Sequence, residues 1–290
     1  MKLSLCRPLI LIPFVAAPLL AFPALGAVTS YDVFKIQYWQ QNSGLEPSLD
    51  TFRAVSRVFV EDQNEFVSGQ LNRPNGLPQV ELQLNTTTYA SPVWLADTDF
   101  ASGFDMEGEY PDGGDYTFSL DSGGGPPSDF VLPLPAGGLF PDTIPAFSES
   151  TRNALLAGPS AGSDLELGFN SFADLTESNL GISSLFDVRV YTTVGVQLAY
   201  WSGLQSQGAN SVLVPGGTLA PGTSYFAQIS FLNSDRFPDE GGVPSGFASY
   251  NITTTQSFLT AVPEPAETAL GIGLLLLGWR LWARRPRHVS

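Results

Sequence analysis

The densest polar run in the sequence is DTDFASGFDMEGEYPDGGD, residues 97–115. It holds Asp97, Asp99, Asp105, Glu107, Glu109, Asp112 and Asp115. Carboxylate oxygens are the ligands calcium prefers, and extracellular modules hold that ion weakly. Asp97, Asp99, Asp105 and Glu107 are therefore the calcium candidates. The run lacks the D-x-D-x-D-G spacing of an EF-hand loop. In a chain with 28 acidic and 13 basic residues, carboxylate clusters also arise on solvated surfaces. A solvated hairpin face is the preferred reading of this one. Two carboxylates are also all that a glycoside hydrolase requires. No pair stands out here, and small β-domains rarely supply a deep cleft, so no catalytic residue is assigned.

Aromatic side chains offer binding chemistry. Tyr38-Trp39, Trp94 and Tyr200-Trp201 could present flat faces to sugar rings. On a strand, adjacent side chains point to opposite faces, so one of each pair belongs to a core and the other is available to a ligand. Simple packing is the competing reading. Asn85-Thr86-Thr87 and Asn251-Ile252-Thr253 match the N-glycosylation acceptor pattern.

What is missing narrows the chemistry further. The one Cys, Cys6, and the one His, His288, lie near the two ends, and residues 28–262 have neither. That excludes a thiolate nucleophile, a Ser-His-Asp triad, a His or Cys zinc site and disulfides from this body. No cofactor is expected. The body carries seven basic residues against 26 acidic ones. Such a surface repels nucleic acid, which is excluded as a partner.

The elements that must position these groups read as strands. Phe186, Val188 and Val190 alternate with polar neighbours, residues 192–195 turn the chain, and Val196, Leu198 and Tyr200 alternate again. Leu165, Leu167 and Phe169 follow the same pattern, as do Val80, Leu82 and Leu84. Residues 52–60 fit either a short helix or a strand. Apolar residues make up 43% of the chain and Gly and Pro are abundant, which suits a turn-rich all-β protein.

In LAPGTSYFAQISF, Leu219, Pro221 and Gly222 precede Tyr225, and Ala227, Ile229 and Phe231 follow it on one strand face. This resembles the tyrosine corner of fibronectin type III and immunoglobulin-like sandwiches, where a Tyr near the start of a strand bonds back to the loop it leaves. A looser echo lies in EYPDGGDYTFSLDSG, around Tyr116. The expected fold is therefore all-β. Two tandem immunoglobulin/fibronectin-like β-sandwiches are expected at 28–135 and 140–260, joined by the Pro/Gly-rich segment 133–145.

The two ends read as addresses. Residues 1–27 combine Lys2 and Arg7, an apolar run over 9–22 and the small-residue stretch Ala24-Leu25-Gly26-Ala27, the layout of a cleavable signal peptide. At the other end, Pro263-Glu264-Pro265 precedes an uncharged run over 268–279, followed by Arg280, Arg284, Arg285 and Arg287. A helix over about 268–283 is short for a hydrocarbon core of ~30 Å. The basic tail would stay cytoplasmic, leaving the body outside.

This arrangement resembles the PEP-CTERM sorting signal. The resemblance implies a Gram-negative bacterial protein with a sorting signal at 261–287, whose motif residues are Pro263, Glu264, Pro265, Arg284 and Arg285. It implies an exosortase-type membrane peptidase as processing partner and a transient stay in the inner membrane. Release to the cell surface or exopolysaccharide matrix then follows. In a bacterial protein the two glycosylation patterns carry little weight. The combined expectation is a non-catalytic exported protein with a structural or adhesive role. The alternative is a carbohydrate-binding protein of the matrix using exposed aromatics, with a carboxylate-only glycoside hydrolase as a distant third.

Overall fold

A computed structural model of the protein describes residues 28–42, 46–87, 89, 91–172, 183–204, 210–237, 244–262 and 274–277. The expected signal peptide and the sorting motif, Pro263 to Pro265 with Arg284 and Arg285, lie outside the described residues. Leu274–Leu277 form helix, and among the described residues no helix is long and apolar enough to cross a membrane.

The body is mostly β. In chain order the strands are β1 (Val28–Gln40), β2 (Ser48–Val60), β3 (Ser68–Asn72), β4 (Val80–Asn85), β5 (Val93–Phe100), β6 (Asp115–Asp121) and β7 (Ser128–Pro133), then β8 (Leu165–Gly168), β9 (Ser183–Thr192), β10 (Gln197–Leu204), β11 (Ser211–Val214), β12 (Ser224–Phe237) and β13 (Ser245–Leu259). Helix α1 (Gly103–Glu109) follows β5 and helix α2 (Glu149–Ala157) follows β7. Residues 52–60, open between helix and strand in the sequence, belong to β2.

Eleven strands form one sheet in the order β10-β9-β12-β13-β1-β2-β5-β4-β3-β6-β7, and β11 pairs with β8 separately. All neighbours pair antiparallel except β1 and β13, which run parallel from Ser30↔Ser245 to Gln40↔Thr255. Chain-distant strands thus meet at the middle of the sheet.

Strand alternation sends one set of side chains to each face. On one face lie two cores. In the first, Val33 of β1, Ala54 and Val58 of β2 and Ala248 of β13 meet Leu71, Leu82, Phe118, Leu120 and Leu132 from β3, β4, β6 and β7, so the sheet has turned over on itself. Gly246 of β13 permits the close approach, since a Cβ there would come 2.9 Å from the Tyr31 ring and 3.0 Å from Leu132. In the second, Val188 and Val190 of β9 and Ala227, Ile229 and Phe231 of β12 meet Leu165 and Leu167 of β8, Val214 of β11 and Leu155 of α2. Burying each Val, Leu, Ile or Phe among them contributes about 1.5–3 kcal/mol.

The two cores share one sheet. The shared sheet runs through both, and Ala248 and Tyr250 from the later segment complete the first core. The expected linker is tied down as well. Asn233 Nδ2 donates to Leu139 O at 2.8 Å and Thr254 Oγ1 donates to Pro145 O, and just beyond it the buried Gln41 amide both donates to Phe147 O and accepts from Phe147 N. Its backbone carbonyls are held by buried side chains, as buried polar groups must be.

Both tyrosines singled out by the sequence make the corner bond. Tyr225, at the start of β12, accepts from Ala220 N–H at 2.8 Å. Tyr116, at the start of β6, donates to Pro111 O at 2.9 Å. Each reaches back five residues and each is buried. Replacing either Tyr by Phe removes one hydroxyl without altering the ring. Each substitution is expected to lower the unfolding free energy by roughly 1 kcal/mol, read as an earlier urea midpoint, and an unmoved midpoint would show the bond to be energetically idle.

Candidate functional site

The face of the central sheet opposite the cores is where binding chemistry collects. Strand alternation sends Asp32, Phe34, Ile36 and Tyr38 of β1 to that face, and the registers place partners beside them. Asp32 stands beside Arg57 of β2, and Ile36 lies between Asn251 of β13 and Arg53 of β2. Tyr38 lies beside Thr253, Thr253 beside Ser230 of β12, and Ser230 beside Asp187 of β9. These side chains line a shallow trough made of two adjoining hollows of about 390 and 270 Å³, which share Phe34 and Leu232.

Charge in the trough is internally balanced. Arg57 grips Asp32 with two hydrogen bonds of 2.8 Å, a bidentate fit. The Arg57 guanidinium also lies over Phe34 at 4.4 Å and Tyr89 at 5.6 Å. Arg53 bonds Asp99 at 2.6 Å, approaches Asp97 at 3.3 Å and lies over the Tyr38 ring at 5.5 Å. Arg189 bonds Asp187 two residues away on the same strand face at 2.7 Å. The floor is nonetheless desolvated. Burial pushes the Asp32 carboxyl up to about 6 against the pull of Arg57. Burial raises Asp187 too, against the pull of Arg189.

Between these pairs lie uncharged polar groups. Ser230 and Thr253 share a hydrogen bond of 2.9 Å, and Gln228 donates to Ser230. Asn251 is 8% exposed, and its Oδ1 finds no hydrogen-bond partner among the described residues. A buried amide oxygen without a donor is costly, typically by 1–3 kcal/mol. Asn251 lines the trough, so a ligand hydroxyl entering it is a donor in reach.

The acidic run is dispersed rather than gathered, and it is not a hairpin. It forms the end of β5, helix α1, a turn and the start of β6. Asp97 and Asp99 face Arg53. Asp105 accepts from the hydroxyl of Ser102, the residue that caps α1. Glu107 turns to Lys35 on the core side, and Glu109 pairs with Arg73. Among the described residues, no group of three or more His, Cys, Asp or Glu side chains is placed to hold a metal ion.

The aromatic candidates separate as strand geometry requires. Tyr38 enters the trough, and Trp39 points to the opposite side of β1. Trp94 belongs to the first core. Tyr200 and Trp201 lie on β10, and their side chains are outside the description. Sequence reasoning missed Asp32, Arg53, Arg57, Asp187, Arg189 and Asn251. The signal for them is charged residues an even number of positions apart on one strand face, as in Arg53 and Arg57 or Asp187 and Arg189.

No protein-family model matches this chain, and no curated protein matches it. Solved structures give weak likenesses. The FN1–FN3 domains of chicken CNTN1 are 10% identical over 69% of this chain and 60% of that one, with a TM-score of 0.21. Trypsin-activated alpha-2-macroglobulin from Escherichia coli is 10% identical over 77% of this chain and 16% of that one, also at 0.21. At that score neither likeness carries an argument.

The buried Asp32 gives the trough a pH signature. Its folded value of about 6 lies above the ordinary 3.8, so the native state holds the proton more tightly than the unfolded chain. Asp32 thus favours the fold fully below 3.8, and that contribution is lost as pH rises through about 6. Urea titrations across this window are expected to show unfolding free energy falling with pH, with Asp32 responsible for on the order of 3 kcal/mol. Asp32→Asn flattens that part of the slope, and identical slopes in the two proteins would remove Asp32 as its source.

Proposed function

We propose that the protein is an exported, non-catalytic binding protein that holds a neutral polysaccharide chain in the trough and so adheres to an exopolysaccharide matrix. The observation that carries this reading is the charge-balanced trough with the unmet Asn251 Oδ1 in its wall. A sugar ring offers an apolar face and a rim of hydroxyls. Tyr38 and Phe34 supply surfaces for the former. Asn251, Gln228 and the hydroxyls of Ser230 and Thr253 supply donors and acceptors for the latter. The arginines and aspartates already neutralise one another, so a charged ligand would have to break a pair to gain one.

Two further features support the parts of this reading. The three trough aspartates Asp32, Asp97 and Asp187 each face an arginine. That arrangement favours holding a glycan over cutting it, because hydrolysis needs one carboxyl free to donate a proton. The PEP-CTERM-like order at 261–287, with Pro263, Glu264 and Pro265 ahead of the apolar run and Arg284 and Arg285 behind it, supports delivery to the surface by an exosortase-type peptidase.

Affinity electrophoresis through gels containing neutral or uronate-rich polysaccharides tests the binding. Retardation is expected in at least one neutral gel and not in the uronate gels. Tyr38→Ala and Asn251→Ala are each expected to weaken it about tenfold, the equivalent of ~1.4 kcal/mol. Free migration in every neutral gel would overturn the reading. Sorting has a separate test in mass spectrometry of the mature chain. A new C-terminus near Pro265 is expected, and full-length protein retained in the inner membrane is expected when the peptidase gene is deleted. An unchanged mass and location in that deletion strain would sink the sorting proposal.

A further inference from the structure

The sheet face opposite the trough holds a group that the binding reading does not use. Lys35 of β1 is fully buried. Its Nζ lies 2.5 Å from Glu107 Oε1 and 2.7 Å from Asp112 Oδ1. Tyr250, the register partner of Lys35 across the parallel pair, donates its hydroxyl to that same Asp112 oxygen at 2.7 Å. The Tyr250 ring centroid is 5.7 Å from the Lys35 nitrogen. Glu107 Oε2 accepts the backbone N–H of Asp112 at 3.3 Å, which holds the two carboxylates in one frame. Gly138, at φ +71, leaves room for the second Asp112 oxygen, since a Cβ there would stand 2.8 Å from it.

The surroundings are dry. Phe118, Tyr110 and Tyr116 are buried in the same core as Tyr250. Burial lifts the Tyr116 and Tyr250 hydroxyls far above the ordinary phenol range, so Tyr250 stays a donor. The Asp112 side chain is 15% exposed and that of Glu107 is 40% exposed. One carboxylate is therefore enclosed with the amine, and the other borders solvent.

We propose that Lys35 and Asp112 join through an intramolecular isopeptide bond, with Glu107 relaying the proton. Lys35 first passes a proton to Asp112 along their hydrogen bond, leaving an amine beside a carboxylic acid. The Nζ lone pair attacks Asp112 Cγ. Negative charge gathers on Asp112 Oδ2, while the Tyr250 hydroxyl holds the protonated Oδ1 in place as the leaving oxygen. Glu107 takes a proton from the attacking nitrogen and gives it to the departing hydroxyl, which leaves as water on the solvent side. One C–N bond forms and one C–O bond breaks. Nothing is oxidised or reduced, and Glu107 ends as it began.

Two physical effects drive a condensation that free amines and acids in water do not undergo. Fixed, near-attack placement gives intramolecular reactions effective concentrations of about 10⁵–10⁸ M. The product also replaces a buried ion pair by a neutral amide, which relieves the desolvation cost of keeping two charges in a dry core. The bond would close a loop between residues 77 apart, and such a cross-link stabilises mainly by restricting the unfolded chain.

Mass spectrometry of the full exported chain tests this. The wild-type protein is expected to weigh one water less than the sequence between its own two mature termini. Its tryptic digest is expected to contain a branched peptide joining the segments that carry Lys35 and Asp112. Lys35→Arg keeps the cation between the carboxylates but cannot form the amide, so it is expected to show no water loss, no branched peptide and a lower melting temperature. Glu107→Gln is expected to leave the chain unlinked or linked only slowly. A succinimide at Asp112-Gly113 loses the same water, but it would persist in Lys35→Arg and give no branched peptide. A wild-type chain at full mass, or a water loss that survives Lys35→Arg, overturns the proposal.

Discussion

A buried ammonium must be paired, and the rest of this structure is arranged around that requirement at Lys35. An unpaired cation at that depth would cost many kcal/mol, and removing one partner of a buried pair typically costs 3–5 kcal/mol. Lys35 lies in the parallel seam between β1 and β13, and the carboxylates that pair with it come from outside that seam. Glu107 arrives on α1, Asp112 on the turn after it, and Tyr250 on β13. The turn carrying Asp112 leads directly into β6 through the Tyr116 corner, whose bond ends on Pro111. One charge therefore fixes how the folded-over half of the sheet closes against the central strands.

The sheet divides its duties by face. Because neighbouring side chains alternate, Phe34 and Ile36 enter the trough while Lys35 between them enters the core. The same alternation puts Ile229 and Phe231 in the second core and Gln228, Ser230 and Leu232 in the trough. Basic residues are scarce in this body, and of those whose side chains are described every one has a partner. Arg53, Arg57 and Arg189 hold trough aspartates, Arg73 holds Glu109, Lys35 holds the core pair, and Arg152 is also engaged. The surplus negative charge falls on the remaining surface.

Local pattern made much of this legible and long-range pairing made the rest invisible. Phe186, Val188 and Val190, and Ala227, Ile229 and Phe231, reveal their strands because period-two alternation is written into adjacent residues. Tyr225 and Tyr116 reveal their corners because the bond spans only five residues. The parallel pairing of β1 with β13 joins residues more than 200 positions apart, as in Ser30 with Ser245, and leaves no mark in either strand. That is why the sheet shared by the two cores cannot be read from the sequence. Lys35 reads there as one of seven cations and Asp112 as one member of an acidic run. Asn251 reads as part of a glycosylation pattern, whereas it faces the trough from mid-strand in β13. Helix α1 was obscured by the same acidic residues that suggested calcium, although Ser102 three residues before Asp105 is an ordinary capping signal.

The parallel seam has a mechanical side. Strand β1 lies at the N-terminal side of the β body and strand β13 at its C-terminal side. Because the two strands run in the same direction, forces pulling those ends apart slide β1 along β13. Eleven register pairs, from Ser30↔Ser245 to Gln40↔Thr255, share that load together. An antiparallel pair pulled from adjacent ends would instead unzip one bond at a time. Tension applied between those two ends would thus load the whole seam in shear.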